Sequence, residues 1–284
     1  MADRLSTEQI SAIVEAVGGE AGTLNLDEAL QALRKSPQAI FSAEELDGVY
    51  AAVAASQRPP EAKPRWECPS SRGLFFVFEG LDRSGKSTQS KRLTERLAKD
   101  GPVKWMCFPN RGTTSGVLID LYLRRKIGFN DKAIHQLFSA NRWEETQQML
   151  QELNNGTSLV CDRYAFSGVA YSTAKGLDFE WCQAPDVGLP VPDSVFFLYI
   201  DEKVGSSRSN FGDERYENSD MQARVRVEFQ RPELRKGVTW HDVDGSQDIE
   251  SIHNKIWAAT RDVASPGEEN GRRDLPQLWM TTGN

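Results

Sequence analysis

Glu79-Gly80-Leu81-Asp82-Arg83-Ser84-Gly85-Lys86-Ser87-Thr88 limits what this chain can fold into more than any other stretch. It follows an apolar run, Gly73-Leu74-Phe75-Phe76-Val77-Phe78, and precedes Gln89 to Ala98, which reads as a helix. Strand, glycine loop and helix form the setting in which GxxxxGK[ST] holds a nucleotide phosphate. The glycines let successive backbone N–H groups turn inward around an anion. The helix start adds unpaired donors and the positive end of its dipole. Gly80, Ser84, Gly85, Lys86, Ser87 and Thr88 are therefore candidate triphosphate contacts. Lys86 reaches the terminal phosphates, and Ser87 offers its hydroxyl to Mg²⁺.

Beyond the loop, strands and helices alternate. Strands are predicted at Leu74–Glu79, Val103–Phe108, Ser158–Asp162, Ser194–Asp201 and Thr239–Val243. Each is short, rich in Val, Phe or Leu and apolar on both faces, as buried parallel strands are. Helices are predicted after the loop as far as Gly101, over Asp131–Leu153 with a stop at Gly156, over Met221–Arg235, and after Ser246. Such alternation builds a doubly wound parallel α/β sheet, whose ligands bind beyond the carboxyl ends of the strands.

The 284 residues allow one such domain and an appendage. A net charge of −7 without a basic run argues against nucleic acid as the main ligand. No apolar run approaches the roughly 20 residues of a membrane helix, so no membrane partner is expected. Cys68, Cys107, Cys161 and Cys182 are spread out and form no zinc-ligand spacing. A reducing compartment is expected, the cytoplasm with the nucleus also open.

Residues 1–57 read as a helical N-terminal extension. Ser6 caps a first amphipathic stretch bearing Ile10, Ile13, Val14 and Val17. A second, Asp27–Lys35, carries Ala29, Leu30 and Leu33. A third, Ser42–Ala55, begins with Ser42 as cap and Glu45 three residues later, and carries Leu46, Val49, Tyr50 and Val53. Residues 17–28 resemble a degenerate EF-hand loop. Gly22, Leu24 and Glu28 fit, but Val17, Gly19 and Ala21 offer no side-chain oxygen for calcium. Two readings of the extension stay open, an interaction or packing module with an unknown protein partner and a solvated appendage. Residues 58–72 form a Pro-rich linker in extended chain, and the main domain occupies 73–284. The sheet begins at Leu74, so residues 1–70 are expected to be dispensable for catalysis.

Polar clusters follow the strands: Phe108-Pro109-Asn110-Arg111, Asp162-Arg163-Tyr164-Ala165-Phe166-Ser167-Gly168, and Arg208 to Glu217. Phe138-Ser139-Ala140-Asn141-Arg142-Trp143-Glu144 lies mid-helix. Several arginines opposite a phosphate loop suggest a second phosphate, on an acceptor, with its own guanidinium forks. The Gly- and Arg-containing stretch Arg208 to Arg215 reads as a lid.

EGLDRSGKSTQ, FPNR, FSANRWE, DRYAFSGVAYS, WCQAPDVGLPVPD and FGDERYEN, in that order, make the chain from Leu74 to Trp279 resemble eukaryotic thymidylate kinases. The resemblance implies a P-loop nucleoside-monophosphate kinase fold with a five-stranded parallel sheet. It also implies a transferase that moves the γ-phosphate of ATP to dTMP, giving dTDP, with Mg²⁺ as cofactor and a homodimeric state. It further implies catalytic roles for Arg83, Lys86, Asp162, Arg208 and Arg215, with Arg208 also on the adenine. Ser87 and Asp162 would serve the metal. Asp82, Phe108, Arg111, Phe138, Arg142, Arg163, Ser167, Gly168, Tyr171, Tyr216 and Gln222 would form the dTMP pocket. Within that pocket Arg111 and Arg163 clamp the phosphate, Phe138 stacks on thymine, Arg142 reaches a thymine carbonyl and Tyr171 crowds the sugar's 2′ position.

Other readings remain at this level. A different P-loop nucleotide kinase is opposed by Phe138, Arg142 and Tyr171. A GTPase-like switch is opposed by the lack of an NKxD motif. A scaffold with a dead kinase domain is opposed by the intact Lys86, Ser87, Arg83 and Asp162.

Overall fold

Runs that are apolar on both faces leave no side for water, so they belong at the centre of a sheet. The computed structural model describes residues 6, 8–9, 12–13, 26–36, 41–56, 65–67, 72–200, 214–264 and 274–280. The five expected strands form one parallel sheet, β2 (Phe75–Gly80), β3 (Val103–Cys107), β4 (Ser158–Asp162), β5 (Ser194–Tyr199) and β6 (Trp240–Asp244), in the order β3-β4-β2-β5-β6. β2, β4 and β5 are the buried centre, whereas β3 and β6 are edges and only partly buried, contrary to the expectation for them. All six residues of β2 are buried. The chain leaves β2 toward β3 on one side and later crosses to β5 on the other. The order therefore reverses around β2, which opens a crevice beyond its carboxyl end.

Register brings the chemistry to that end. Phe78 and Cys107 both align with Asp162. Arg163 N–H donates to Phe78 O at 2.8 Å, and Phe108 N–H donates to Asp162 O at 3.0 Å.

The helices are α1 (Leu26–Lys35), α2 (Ala43–Ser56), α3 (Lys86–Leu97), α4 (Thr114–Leu123), α5 (Asp131–Asn154), α6 (Ala165–Thr173), α7 (Phe179–Gln183), α8 (Ser219–Glu228), α9 (Pro232–Arg235) and α10 (Ile249–Ala264). Asn130 caps α5 by accepting from Ala133 N–H at 2.8 Å, and Asp178 caps α7 by accepting from Trp181 N–H at 2.8 Å. The stretch expected as one helix over Met221–Arg235 is two, because Pro232 brings no N–H and starts a new turn. Two helices were not expected. In α4 all ten residues, TSGVLIDLYL, are buried, so the sequence shows no helical period. The start of α6 sits inside the polar DRYAFSG cluster.

Of the expected Pro-rich linker, 58–72, only residues 65–67 and Arg72 are among the described residues. Arg65–Glu67 is a strand, β1, paired antiparallel with β7 (Asp274–Pro276). These three residues are extended and pair with a segment near the end of the domain. Arg72 opens the domain by forking Asp193 at 2.7 and 2.9 Å, and Asp193 also accepts from Phe75 N–H at 2.8 Å.

In the extension, Ser42 and Glu45 form the expected reciprocal cap, Glu45 N–H to Ser42 Oγ at 3.1 Å and Ser42 N–H to Glu45 Oε2 at 2.7 Å. Ser6 and Gln9 do the same at 3.2 and 2.9 Å. Ile13, Leu30, Leu33, Leu46 and Val49 are buried in one apolar cluster with α4 and α5. The described part of the extension is thus packed onto the domain rather than held in solvent. The EF-hand-like loop lies, up to residue 25, outside the described residues.

Candidate active site

The phosphate loop leaves β2 where that strand lies close against β5. A Cβ on Gly80 (φ 137°) would sit 2.1 Å from Leu198 O, and Gly85 takes φ 99° to turn the chain into α3. Arg83 also adopts a positive φ, 62°. No side chain caps α3, so its first N–H groups face the crevice. The Lys86 ammonium is buried and donates to Leu81 O. Burial first, then the Arg163 charge, bring its pKa down to about 8. Ser87 Oγ donates to the Asp162 carboxylate at the end of β4. A hydroxyl and a carboxylate, both hard oxygen donors, thus face each other where a phosphate would end.

On the opposite side, Arg163 (φ 67°) turns back from β4 over the loop. It donates to Gly80 O and to Ser167 Oγ, each at 3.2 Å, and pairs with Asp82. The Asp82 carboxylate also accepts from Tyr171 OH at 3.0 Å and Gln222 Nε2 at 2.7 Å. Burial opposes its ionisation, yet the Arg163 and Lys86 charges hold its carboxyl below the usual range.

The other arginines are likewise matched by carboxylates. Arg83 pairs with Glu217 at 2.9 Å, and Arg111 pairs with Asp120 and with Glu214 at 2.6 Å. Arg142, 2% exposed, is forked onto the fully buried Asp186, with its Nε at 3.0 Å. Phe138 lies one turn earlier on α5, on the same face. A Cβ on Gly168 would be 2.7 Å from Arg142 Nη2, so this glycine makes room for the guanidinium.

These groups surround one cavity of about 730 Å³. Asp82, Arg83, Gly85, Lys86, Ser87 and Thr88 line it from the loop side. Phe108, Arg111, Phe138, Arg142, Asp162 and Arg163 line it from the strand ends and α5, with Ser167, Gly168, Tyr171 and Tyr216 completing the wall. Gly80, Ser84 and Gln222 stand behind this lining; Gln222 Oε1 accepts from Asp82 N–H at 2.9 Å. Arg215 is not brought in. Its guanidinium donates to Tyr122 O at 3.0 Å and Ile127 O at 3.1 Å and lies over the Tyr122 ring. Arg208 and most of the expected lid lie outside the described residues.

Several site groups escaped the sequence reading. Glu214, Glu217, Asp120 and Asp186 neutralise the arginines; the one local signal among them, not read, is Asp120, a lone carboxylate inside an apolar run. Glu79 is the other. It accepts from Tyr164 N–H at 2.9 Å, Ser167 N–H at 3.0 Å and the Ser167 hydroxyl, and so caps α6, which has no side-chain cap of its own. Its signal was a single charge at the end of an apolar strand. Burial pushes its pKa up to about 7. His135 is structural, held between Ser172 Oγ and Cys182 O at 2.8 Å each. Among the described residues no cluster of three His, Cys, Asp or Glu gathers to hold a metal alone.

A family model described as thymidylate kinase matches residues 78–256. The thymidylate kinase of Schizosaccharomyces pombe is 46% identical over 190 residues, which covers 66% of this chain and 90% of that protein. The Homo sapiens thymidylate kinase is 42% identical over 210 residues, covering 73% and 98% respectively. A solved structure of thymidylate kinase from Candida albicans superposes with a TM-score of 0.62 at 37% identity, covering 68% of this chain and 94% of that one. With the phosphate loop and the arginine-lined wall both within the matched span, this chain belongs to the thymidylate kinase family.

Proposed function

We propose the following division of labour for this thymidylate kinase, which transfers the γ-phosphate of ATP to dTMP to give ADP and dTDP. The ATP phosphates lie on the loop between Gly80 and Thr88, with Lys86 on the terminal phosphates. Ser87 and Asp162 are the residues that would hold Mg²⁺. Their oxygen donors suit a hard cation that keeps its other positions for water and phosphate. When bound with ATP, Mg²⁺ neutralises charge on the phosphates. Arg163 and Arg111 hold the dTMP phosphate facing the γ-phosphorus. Phe138 and Arg142 hold the base, and Tyr171, with Asp82 and Gln222 behind it, the sugar.

Transfer is in line, and catalysis is positioning plus charge stabilisation. The acceptor phosphate is already an anion, so no strong general base is required. Arg83 stabilises the charge that develops between the two substrates. Arg208 is assigned the lid role, excluding water that would otherwise hydrolyse ATP. Arg215, held by carbonyls of Tyr122 and Ile127, anchors the stem of that lid.

The observation that carries this reading is that the phosphate loop and the Arg111–Phe138–Arg142–Arg163 wall line one cavity. A coupled ADP-release assay across dTMP, dUMP, dCMP and dGMP tests it. dTMP is expected to be the best acceptor. dUMP, lacking one methyl worth about 1 kcal/mol, is expected to be poorer yet still used. Preference for dCMP or dGMP would overturn the assignment. Two further parts of the proposal rest on the family. A homodimer is checked by sedimentation, which should give twice the 31.8 kDa chain mass. A cytoplasmic or nuclear location fits the unbridged Cys107, Cys161 and Cys182 and is checked with a fluorescent fusion.

A further inference from the structure

Helix α4 joins the N-terminal extension to the acceptor half of the cleft. It is buried on every side, so it has neighbours all round. α5 supplies one side and α2 packs against both α4 and α5. Val117, Leu118 and Leu121 of α4 share a single apolar cluster with Leu30, Leu46 and Val49 of the extension. That cluster continues to Phe138 and Tyr216, both of which line the cavity.

The remaining groups of α4 hold the acceptor wall. Asp120 pairs with Arg111, and Tyr122 OH lies 3.1 Å from Tyr216 OH. Leu123 lines the cavity, and its carbonyl accepts from Arg215 N–H at 2.9 Å. At its start α4 is pressed onto the loop that carries Arg111. A Cβ on Gly116 would sit 1.9 Å from Asn110 O and 2.9 Å from the Arg111 Cα. Among the described residues, the apolar neighbours of the phosphate loop and α3 belong to other clusters, which contain no residue of the extension. Residues 1–77 precede the span that the family model matches.

We propose that residues 26–56 are a positioning element for the acceptor site, which acts through α4 on Arg111, Phe138 and Tyr216. The extension sets how tightly dTMP is held and leaves ATP binding alone. This replaces the expectation that residues 1–70 are dispensable. It rests on the assignment of Arg111 and Phe138 to the acceptor side.

The test uses the full chain carrying Leu46→Asp and Val49→Asp, which places two charges in the buried α2 face. Hydrogen exchange of the α4 amides reports whether the contact has been lost. KM for dTMP is expected to rise roughly two- to thirtyfold, with KM for ATP held within about twofold and α4 less protected. A milder pair, Leu46→Ala with Val49→Ala, should move the same KM less and in the same direction. Unchanged dTMP kinetics would overturn the proposal, whether or not α4 loses protection. So would equal changes in both KM values. Arg111→Ala in the intact chain separates this failure from that of the site assignment: a selective rise in dTMP KM there, without one in the extension variants, refutes the positioning role alone.

Discussion

The Glu79 carboxylate accepts both the backbone N–H and the hydroxyl of Ser167, tying the last charged residue of β2 to the head of α6. Arg163 donates to Gly80 O, next to Glu79, and to Ser167 Oγ, so this link lies beside the phosphate loop and the proposed acceptor clamp. Burial raises the Glu79 pKa from 4.5 to about 7. The folded chain therefore holds this proton over a pH range where the unfolded chain has lost it. By linkage the group's contribution to stability is fully present below about pH 4.5 and falls as pH rises toward 7. Glu79→Gln mimics the protonated form. The melting temperature of the parent minus that of Glu79→Gln should fall between pH 5 and pH 8. A difference that stays flat across that range would show that Glu79 does not titrate there.

Arg111 is the clearest probe of the acceptor side. Truncation to Ala removes a guanidinium fork but leaves Asp120 with Arg124 at 2.9 Å, so the fold should hold. KM for dTMP should rise roughly ten- to a hundredfold, as for a lost hydrogen bond to a charged group. KM for ATP should barely move. Steady-state kinetics with each substrate varied in turn checks this, and parallel losses would place Arg111 elsewhere.

Arg83 offers a contrasting signature. It lines the cavity from the phosphate loop and pairs with Glu217 at 2.9 Å, and its proposed role puts it between donor and acceptor. Arg83→Ala should lower kcat by about 10³ or more while leaving both KM values close to the parent's, because the charge it meets develops in the transition state. Single-turnover measurement separates this from slowed product release. A change confined to KM would contradict the role.

Asp186 has no access to solvent and holds Arg142 in place. Asp186→Ala leaves a buried guanidinium without its carboxylate and should cost about 3–5 kcal/mol of stability by urea unfolding. Replacing both residues with apolar ones of similar volume should cost less than the single change, and should abolish base discrimination if Arg142 reads thymine. A single change that costs nothing would mean that water or another group takes over the pairing.

How much of this was legible in the sequence follows from the range of the interactions involved. The phosphate loop is a local device, with every glycine and hydroxyl within ten residues. The central strands showed because they are apolar on both faces. The Ser42–Glu45 and Ser6–Gln9 caps are also local, and both are present. Helix α4 did not show, because burial on all sides erases the helical period. The carboxylates matched to the arginines did not show either: Glu217 lies 134 residues from Arg83 and Asp186 lies 44 from Arg142. No local pattern links such pairs. The face on which the extension rests was hidden for the same reason. An amphipathic helix declares that it has a buried side and leaves the partner unnamed.

The pairing of Arg65–Glu67 with Asp274–Pro276 has a topological consequence. Arg65 aligns with Pro276, so the segment entering the kinase body and the segment leaving it are strand neighbours, about 5 Å apart. The body is in this sense close to a ring, and the extension is a branch that departs where the ring closes. Chain ends held this near can be joined and new ones opened at a surface turn. Gly237, where a Cβ would meet nothing, is one such turn. A circular permutant of the body alone, joined beside that strand pair and cut at Gly237, would keep every pairing of the main sheet without the branch.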